Sequence, residues 1–419
     1  MNFNKVYFSS ILLSLFWVTL LSQELPPIKN FSVDEYQGGN QNWMISQDSN
    51  NCIYIANNLG LLEFNGAYWK LYDSPNGTVI RSVKVINDII YSGCYMEFGY
   101  WQRDEYGTLN YKSLSDELET PLIVDENFWN ILQFNNWVLF QSLDRIYLYN
   151  TIENSFNIIE SKRITKIFNV GEDIYFQKIN EGIFLIEKGD PVSLSNSSIF
   201  KQNLLVGAFS VNGKILFLNE KGEFYFLKDR EYIRWNIEAN NDLLLKKVYS
   251  SIQLKDGSFV LGTISNGIIQ LDKNGNFLRK INKEKGLYNN TILSIFEDRD
   301  ENLWLGLDNG ISRLNLSSPF KVFSDLKGGL GDVYTAKVFE NHLYIGTNQG
   351  LFYKQLNSVN DFKLIEHTNG QVWCLKVIDN TLFCGHNNGT YTIEKNKAKH
   401  ISNLQGTWDI KKIEKNQNL

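Results

Sequence analysis

The stretch ENLWLGLDNGISRLN, residues 301–315, recurs with substitutions along the chain. Residues 341–355 read NHLYIGTNQGLFYKQ, and residues 51–65 read NCIYIANNLGLLEFN. The aliphatic or aromatic position that opens this phrase recurs with a mean spacing of about 41 residues, and repeats of this period must be interpreted before anything else. These positions are Ile53, Ile90, Val138, Ile174, Ile215, Phe259, Leu303, Leu343 and Leu382.

Each repeat has the pattern of short β-strands rather than of paired helices. The runs are rich in Ile, Val, Phe, Tyr and Trp and are bounded by Gly, Asn and Asp. Residues 289–324 predict four strands, at Ile292–Glu297, Leu303–Gly306, Ile311–Asn315 and Phe320–Ser324. A glycine precedes the third strand in most repeats, as Gly60 and Gly310 do, and we expect a left-handed turn there.

Four-stranded units at this spacing predict an all-β fold, a β-propeller with about nine full repeats and a partial tenth. Because seven blades commonly close a ring, residues 27–324 are expected to form a first propeller of about seven blades. Residues 325–419 would begin a second, incomplete propeller. The segment PIKNFS at 27–32 is similar to PFKVFS at 319–324, so an N-terminal strand is expected to close the ring by pairing with the last blade.

Composition limits the classes of function. The formal net charge of −5 argues against a nucleic-acid-binding surface, and four cysteines in 419 residues do not make a disulfide scaffold. A two-residue turn between Cys374 and Cys384 would pair Cys384 with Leu375 and Cys374 with Gly385, which directs the two thiols to opposite faces of the sheet.

The N-terminus has the pattern of a secretory signal peptide at residues 1–22. Lys5 precedes an apolar segment, Val6–Leu21, and the small residue Ser22 suits a cleavage site. The alternative is a membrane anchor, for which the segment is marginally short. We expect cleavage after Ser22 and export from the cytoplasm.

Catalytic, metal-binding and cofactor-binding motifs are not found in the sequence. There is no phosphate-binding loop, no zinc-type Cys/His spacing and no carboxylate pair that can be nominated. The segment Asp298–Asn302, DRDEN, resembles the start of a calcium loop but has Leu303 and Asn309 where such loops have glycine and an acidic residue. A hairpin turn is the favoured interpretation.

A candidate binding site follows from the second residue of each predicted first strand. In a propeller the first strands line the central channel, so one such residue per blade would surround its mouth. Aromatic and cationic residues there suit a sugar-like or anionic ligand, whereas packing between neighbouring blades is the alternative role. The aligned residues are Trp43, Arg81, Trp129, Lys166, Tyr249, Tyr334, Trp373 and Trp408.

The second repeat departs from the pattern at YSGCYMEFGYW, residues 91–101. Glu97 stands where most repeats have glycine, and Tyr95 precedes it on the same turn. Loops that interrupt a repeat often carry function, although drift in one repeat explains the same substitutions. The candidate ligand-binding residues are therefore Trp43, Arg81, Tyr95, Glu97, Trp129 and Lys166.

The unit ILSIFEDRDENLWLGLDNGISRL, residues 292–314, resembles the two-component-regulator propeller repeat. Glu297, Asp298, Trp304, Gly306 and Gly310 stand at positions that the family's motif specifies, whereas Glu301 occupies its usual turn glycine. The opening segment PPIKNFSVDEYQGGNQNWMISQ and the segment EFGYW are similar to the exported sensor half of Bacteroidetes-type regulators.

The resemblance implies a non-catalytic, periplasmic sensor domain of a signal-transduction or transcription regulator. Its partners would be a small polar or carbohydrate ligand and C-terminal membrane and signalling parts that this chain lacks, with a homodimer as a possible state of the full protein. The full protein would be anchored in the inner membrane, and the chain would be a truncated part of it. The alternatives are a propeller enzyme similar to streptogramin lyases and a protein-interaction scaffold.

Overall fold

In the computed structural model, the described part of the chain is residues 25–413 except 188, 196, 240–242, 244–245, 321, 323–328 and 357–361. The predicted signal peptide therefore lies outside the described residues, as does most of the predicted strand Phe320–Ser324. By its internal contacts the chain divides into two units, one of which is Pro26–Phe320 and the other residues 1–25 with 321–419.

The described residues of Pro26–Phe320 form seven four-stranded antiparallel sheets and two four-residue α-helices. The chain begins with β1 (Ile28–Phe31) and α1 (Val33–Tyr36). The first sheet contains β2 (Asn42–Gln47), β3 (Ile53–Asn57), β4 (Gly60–Phe64) and β5 (Trp69–Asp73). The second contains β6 (Ser82–Ile86), β7 (Ile89–Gly93), β8 (Phe98–Arg103) and β9 (Leu109–Ser113). The third contains β10 (Asn130–Phe134), β11 (Trp137–Gln141), β12 (Arg145–Asn150) and β13 (Ser155–Glu160).

The next three sheets repeat this arrangement. The fourth contains β14 (Ile164–Val170), β15 (Asp173–Lys178), β16 (Gly182–Glu187) and β17 (Asp190–Ser193), and α2 (Ile199–Gln202) follows it. The fifth contains β18 (Leu205–Val211), β19 (Lys214–Asn219), β20 (Phe224–Lys228) and β21 (Glu231–Trp235). The sixth contains β22 (Val248–Gln253), β23 (Phe259–Thr263), β24 (Ile268–Leu271) and β25 (Phe277–Ile281). Short 3₁₀ turns lie at Ser115–Glu117 and Lys283–Lys285.

The seventh sheet combines the two ends of this unit. It contains β26 (Ile292–Glu297), β27 (Asn302–Leu307) and β28 (Ile311–Asn315), and its outer strand is β1. The register pairs Ile28 with Leu314 and Phe31 with Ile311. The prediction that Phe320–Ser324 supplies the outer strand is therefore wrong for this sheet, whereas pairing by the N-terminal segment is confirmed.

The first strands of the seven sheets contact one another in a closed circuit, in which β26 packs against β2. Their serines join neighbouring sheets: Ser82 Oγ donates to Phe128 O at 2.8 Å, and Ser294 Oγ donates to Asn42 O at 3.1 Å. A β-carbon on Gly306 would overlap the same Asn42 carbonyl. The glycine of the repeat is thus required by the close approach of the next blade. The all-β propeller of four-stranded blades is confirmed.

Apolar side chains fill the space between adjacent sheets. One cluster joins the last sheet to the first, and in it Phe31 stacks on Trp304 with ring centroids 5.7 Å apart and planes 7° apart. Trp304 Nε1 donates to Asp298 Oδ2 at 2.9 Å, and Asn302 N donates to Asp298 Oδ1 at 2.8 Å. DRDEN is therefore a hairpin turn held by its own aspartate, as predicted.

Gly60 and Gly310, two of the glycines that precede third strands, differ in their physical requirement. Gly310 has φ 87°, the left-handed conformation that the sequence predicts. Gly60 does not have a φ in that region, so the prediction is wrong there. A β-carbon on Gly60 would overlap the carbonyl of Tyr72 on the outer strand β5. Close packing of two strands, rather than turn geometry, requires glycine at that position.

The second unit contains two further four-stranded sheets among its described residues. One has β29 (Val333–Phe339), β30 (His342–Thr347), β31 (Leu351–Gln355) and β32 (Lys363–Leu364). The other has β33 (Val372–Ile378), β34 (Thr381–His386), β35 (Gly389–Glu394) and β36 (Lys397–Ser402). The register pairs Cys374 with Gly385 and Leu375 with Cys384, which confirms the sequence prediction. None of the helices within the described residues has the length and apolar character needed to cross a bilayer.

We expect residues 26–320, produced alone, to unfold in one cooperative transition. Their sheets close a circuit of contacts, so no blade can separate without exposing two faces. Residues 325–419 alone should be disordered or aggregate, because β29 leaves Val333, Tyr334 and Val338 about half exposed. Calorimetry of the two fragments checks this, and a folded 325–419 fragment would contradict the assignment of the domains.

Candidate ligand site at the channel mouth

Four of the six candidate residues lie at the start of first strands, where the pairing with the second strand is irregular. The register of β2 with β3 shifts between Asn42 and Met44, so Trp43 has no partner. Arg81 N donates to Gly93 O at 2.8 Å, although Gly93 is already the register partner of Ser82. A β-bulge of this kind re-aims one side chain relative to the sheet. The extra residue therefore changes the direction of the side chain at this position, although Trp43 still packs against the apolar cluster between the first two sheets.

Trp43, Arg81 and Trp129 come together from three consecutive sheets. The guanidinium carbon of Arg81 is 4.2 Å from the ring centroid of Trp43 and 4.8 Å from that of Trp129. The two indoles meet edge to face, with centroids 6.2 Å apart and planes 79° apart. A guanidinium between two aromatic rings is held by their quadrupoles and loses much of its freedom. The sequence predicted this juxtaposition.

The orientation of Trp43 is fixed by a short chain of hydrogen bonds. Trp43 Nε1 donates to Asn58 Oδ1 at 2.7 Å, and Asn58 Nδ2 donates to Gln41 Oε1 at 3.1 Å. Gln41 Nε2 donates in turn to Asp308 Oδ1, at 2.7 Å, on the turn after β27 of the last sheet. These polar groups position the indole and leave its face to Arg81.

Lys166 and Tyr249 form a second pair at the same strand position. Lys166 Nζ is 4.9 Å from the ring centroid of Tyr249 and donates to its carbonyl oxygen at 3.0 Å. Burial lowers the pKa of Lys166 to about 8 and also lowers the pKa of Arg81. The pKa of Tyr249 is raised by burial and pulled back by the nearby charge of Arg81, so the phenol lies within electrostatic range of that guanidinium.

Tyr95 and Glu97 do not join this group. The Glu97 carboxylate accepts from Tyr111 Oη at 2.8 Å and from Ser113 Oγ at 3.0 Å, and both donors lie on the outermost strand β9. Tyr95 Oη donates to Asp125 Oδ1 at 2.6 Å in a surface loop. The expectation that these two residues share one cluster with Arg81 is wrong, because the turn before β8 directs Glu97 outwards along its own blade.

One repeat of the chain is similar to a known family. Residues 288–309 match the family model of the two component regulator propeller. The match overlaps the unit at residues 292–314, on which the predicted resemblance rests, and it ends before β28. That resemblance is confirmed. No curated protein matches the sequence.

Solved structures that resemble this one include two extracellular domains from B. thetaiotaomicron. That of BT3049, described as a hybrid two component system, has a TM-score of 0.65 at 17% identity, covering 91% of this chain and 55% of its own. That of BT4673, described as a one component system, has a TM-score of 0.57 at 16% identity, covering 90% and 54%. The chain spans about half the length of these structures.

An enzyme of the same architecture is also similar. Virginiamycin B lyase from Staphylococcus aureus has a TM-score of 0.53 at 14% identity and covers 69% of this chain and 99% of its own. At these identities, the similarities to solved structures show the propeller fold. The single repeat at 288–309 and the geometry of the channel mouth supply the remaining information about function.

Proposed function

We propose that this chain is a non-catalytic, extracytoplasmic ligand-sensing domain of a signal-transduction regulator. The observation that carries the proposal is the convergence of Trp43, Arg81 and Trp129, from three blades, at the channel mouth. Aromatic faces combined with a few fixed polar groups are typical of sites that bind small ligands. The two component regulator propeller repeat and the propellers of the B. thetaiotaomicron systems support a sensing role.

The proposed ligand is a small polar molecule, with a glycan-like compound as the main candidate. Sugars present flat apolar faces that stack on indoles, and hydroxyl groups that accept hydrogen bonds from a guanidinium. In this proposal the membrane segment and the output domain follow in a longer protein, and the signal passes to them when the ligand binds. Dimerisation of that longer protein belongs to the same proposal.

Substitutions at the channel mouth should weaken ligand binding at least about tenfold each. Arg81→Ala removes a charged hydrogen-bond donor, worth roughly 1.5–3 kcal/mol, and Trp129→Ala removes a stacking surface of the kind that dominates binding sites. Binding of a glycan identified on an array can be measured by isothermal titration calorimetry for each variant. The matched control is Arg234→Ala on the outer strand β21, where Arg234 pairs with Glu223 at the surface.

The thermal stability of the same variants separates binding from packing. If these residues only fill gaps between blades, Trp129→Ala should cost about 3–5 kcal/mol of unfolding free energy. The surviving folded protein would then bind the glycan with unchanged affinity. Those two results together would contradict the proposal that the ligand binds at the channel mouth.

Export can be tested separately from binding. Because residues 1–22 have the pattern of a signal peptide, mass spectrometry of the protein released from the periplasm should find an N-terminus near Gln23. An intact Met1 on the soluble protein would contradict this prediction. A membrane-bound protein that retains Met1 would instead identify the segment as an anchor.

A further inference from the structure

Two cations at the channel mouth have no acidic partner among the described residues. No ion pair within 4.0 Å joins Arg81 or Lys166 to a described carboxylate, although seven such pairs occur elsewhere. The acid of the adjoining hydrogen-bond chain, Asp308, accepts from Gln41 instead. A protein with a net charge of −5 thus carries an uncompensated positive site where its first strands converge.

The guanidinium of Arg81 lies over two indole rings and has unused hydrogen-bond donors within the described part of the chain. Its Nε is buried without a hydrogen-bond partner, and its two terminal nitrogens make no hydrogen bond within the described part of the chain. The rings of Trp43 and Trp129 restrict its motion. Two parallel N–H groups held in this way match the two oxygens of a carboxylate or of a sulfate or phosphate ester.

Lys166 is also short of compensating charge. Its Nζ donates one hydrogen bond, to Tyr249 O, which leaves two of its three N–H donors for other groups. Tyr249 contacts Lys166, and its phenol lies within electrostatic range of Arg81, so one residue interacts with both cations. The ammonium group of Lys84, on the first strand β6, makes no hydrogen bond or ion pair with the described residues. Burial lowers its pKa as well.

We infer that the ligand of this site is anionic and that its oxyanion group pairs with Arg81 and Lys166. The inference rests on the proposed sensing function and names the chemical class of the ligand. Desolvated cations without counter-charges destabilise the empty site, and an incoming oxyanion relieves that cost, whereas a neutral ligand does not. The aromatic rings then contact the uncharged part of the ligand. A sugar acid and a sugar sulfate share this chemistry.

Fluorine NMR of the full chain labelled with 5-fluorotryptophan tests the inference without requiring an activity. The signals of Trp43 and Trp129 are assigned from Trp43→Phe and Trp129→Phe variants. The protein is titrated at constant ionic strength with glucuronate, with glucose 6-sulfate and with glucose. We expect saturable shifts of both signals with an anionic sugar and none with glucose at the same concentration. The better of the two anionic sugars identifies a carboxylate or a sulfate ester as the preferred group.

Variants make the result specific to the cations. Arg81→Gln should weaken the anionic titration at least tenfold, Lys166→Met should also weaken it, and Arg234→Gln on β21 should leave it unchanged. Equal shifts of the tryptophan signals with glucose, or an unaltered titration of Arg81→Gln, would overturn the inference. The proposal of a sensor for neutral glycans would then remain. Unmoved tryptophan signals with both anionic sugars would overturn the inference as well, and a negative glycan array would then remove the proposed function too.

Discussion

Replacing Phe31 by alanine should lower the free energy of unfolding by about 3–5 kcal/mol. The ring of Phe31 is fully buried between the last sheet and the first, stacked on Trp304 and in edge contact with Phe64 and Trp69. Its removal leaves a cavity where β1 closes the circuit of sheets. The substitution therefore weakens the packing that joins the two ends of the unit. Urea unfolding followed by tryptophan fluorescence measures the change.

The control for this variant is Phe320→Ala. Phe320 is 76% exposed, so the same deletion should change the unfolding free energy by no more than about 0.5 kcal/mol. Equal effects of the two substitutions would mean that pairing of β1 with β28 contributes little. The closed seven-sheet circuit would then not be the source of the unit's cooperativity.

Lys166→Met should raise stability at neutral pH by about 1–3 kcal/mol, the size expected when a buried charge is replaced by an apolar side chain. The folded-state pKa of Lys166 is about 8, below the ordinary value of 10.5, because burial penalises the charged form. Below pH 8 this lysine is charged in the folded protein, which therefore bears the free-energy cost of burying the charge. The contacts with Tyr249 offset part of that cost. Methionine retains an apolar stem of similar length and removes the charge.

The pH dependence gives this prediction its sign. Between pH 8 and about 10.5 the unfolded chain binds more protons at this lysine than the folded chain does, so the stability of the wild type rises with pH in that interval. The advantage of Lys166→Met should consequently shrink from pH 7 to pH 10. Lys214→Met, at an exposed position, should show no such change. A constant advantage across this range would contradict the lowered pKa.

The sequence predicted the blades well because each blade repeats the same local rules. Alternating β-branched residues, Asn-Gly and Asp-Gly turns and the glycine at Gly306 are short-range signals. The N-terminal strand could also be predicted, since PIKNFS repeats the phrase of an outer strand. Its competitor, Phe320–Ser324, has an equally good phrase, and only the pairing of β1 with β28 distinguishes them.

The site was predicted in part. Trp43, Arg81, Trp129 and Lys166 share one position of the repeat, and the circuit of first strands brings that position to one end of the channel. Tyr249 occupies the same position but was not among the candidate ligand-binding residues, although it contacts Lys166. The direction of Glu97 depends on the twist of a single turn and on hydrogen-bond donors from β9, which no repeat pattern encodes.

The central claim is that this propeller binds a ligand at its channel mouth without transforming it. The most direct measurement is a glycan array probed with the exported protein, followed by mass spectrometry of the bound glycan after incubation with wild type and with Arg81→Ala. Our account predicts a selective hit, recovered chemically unchanged and weakened at least tenfold by Arg81→Ala. A shortened or eliminated product in the wild-type incubation would contradict the account and assign the propeller to an enzyme.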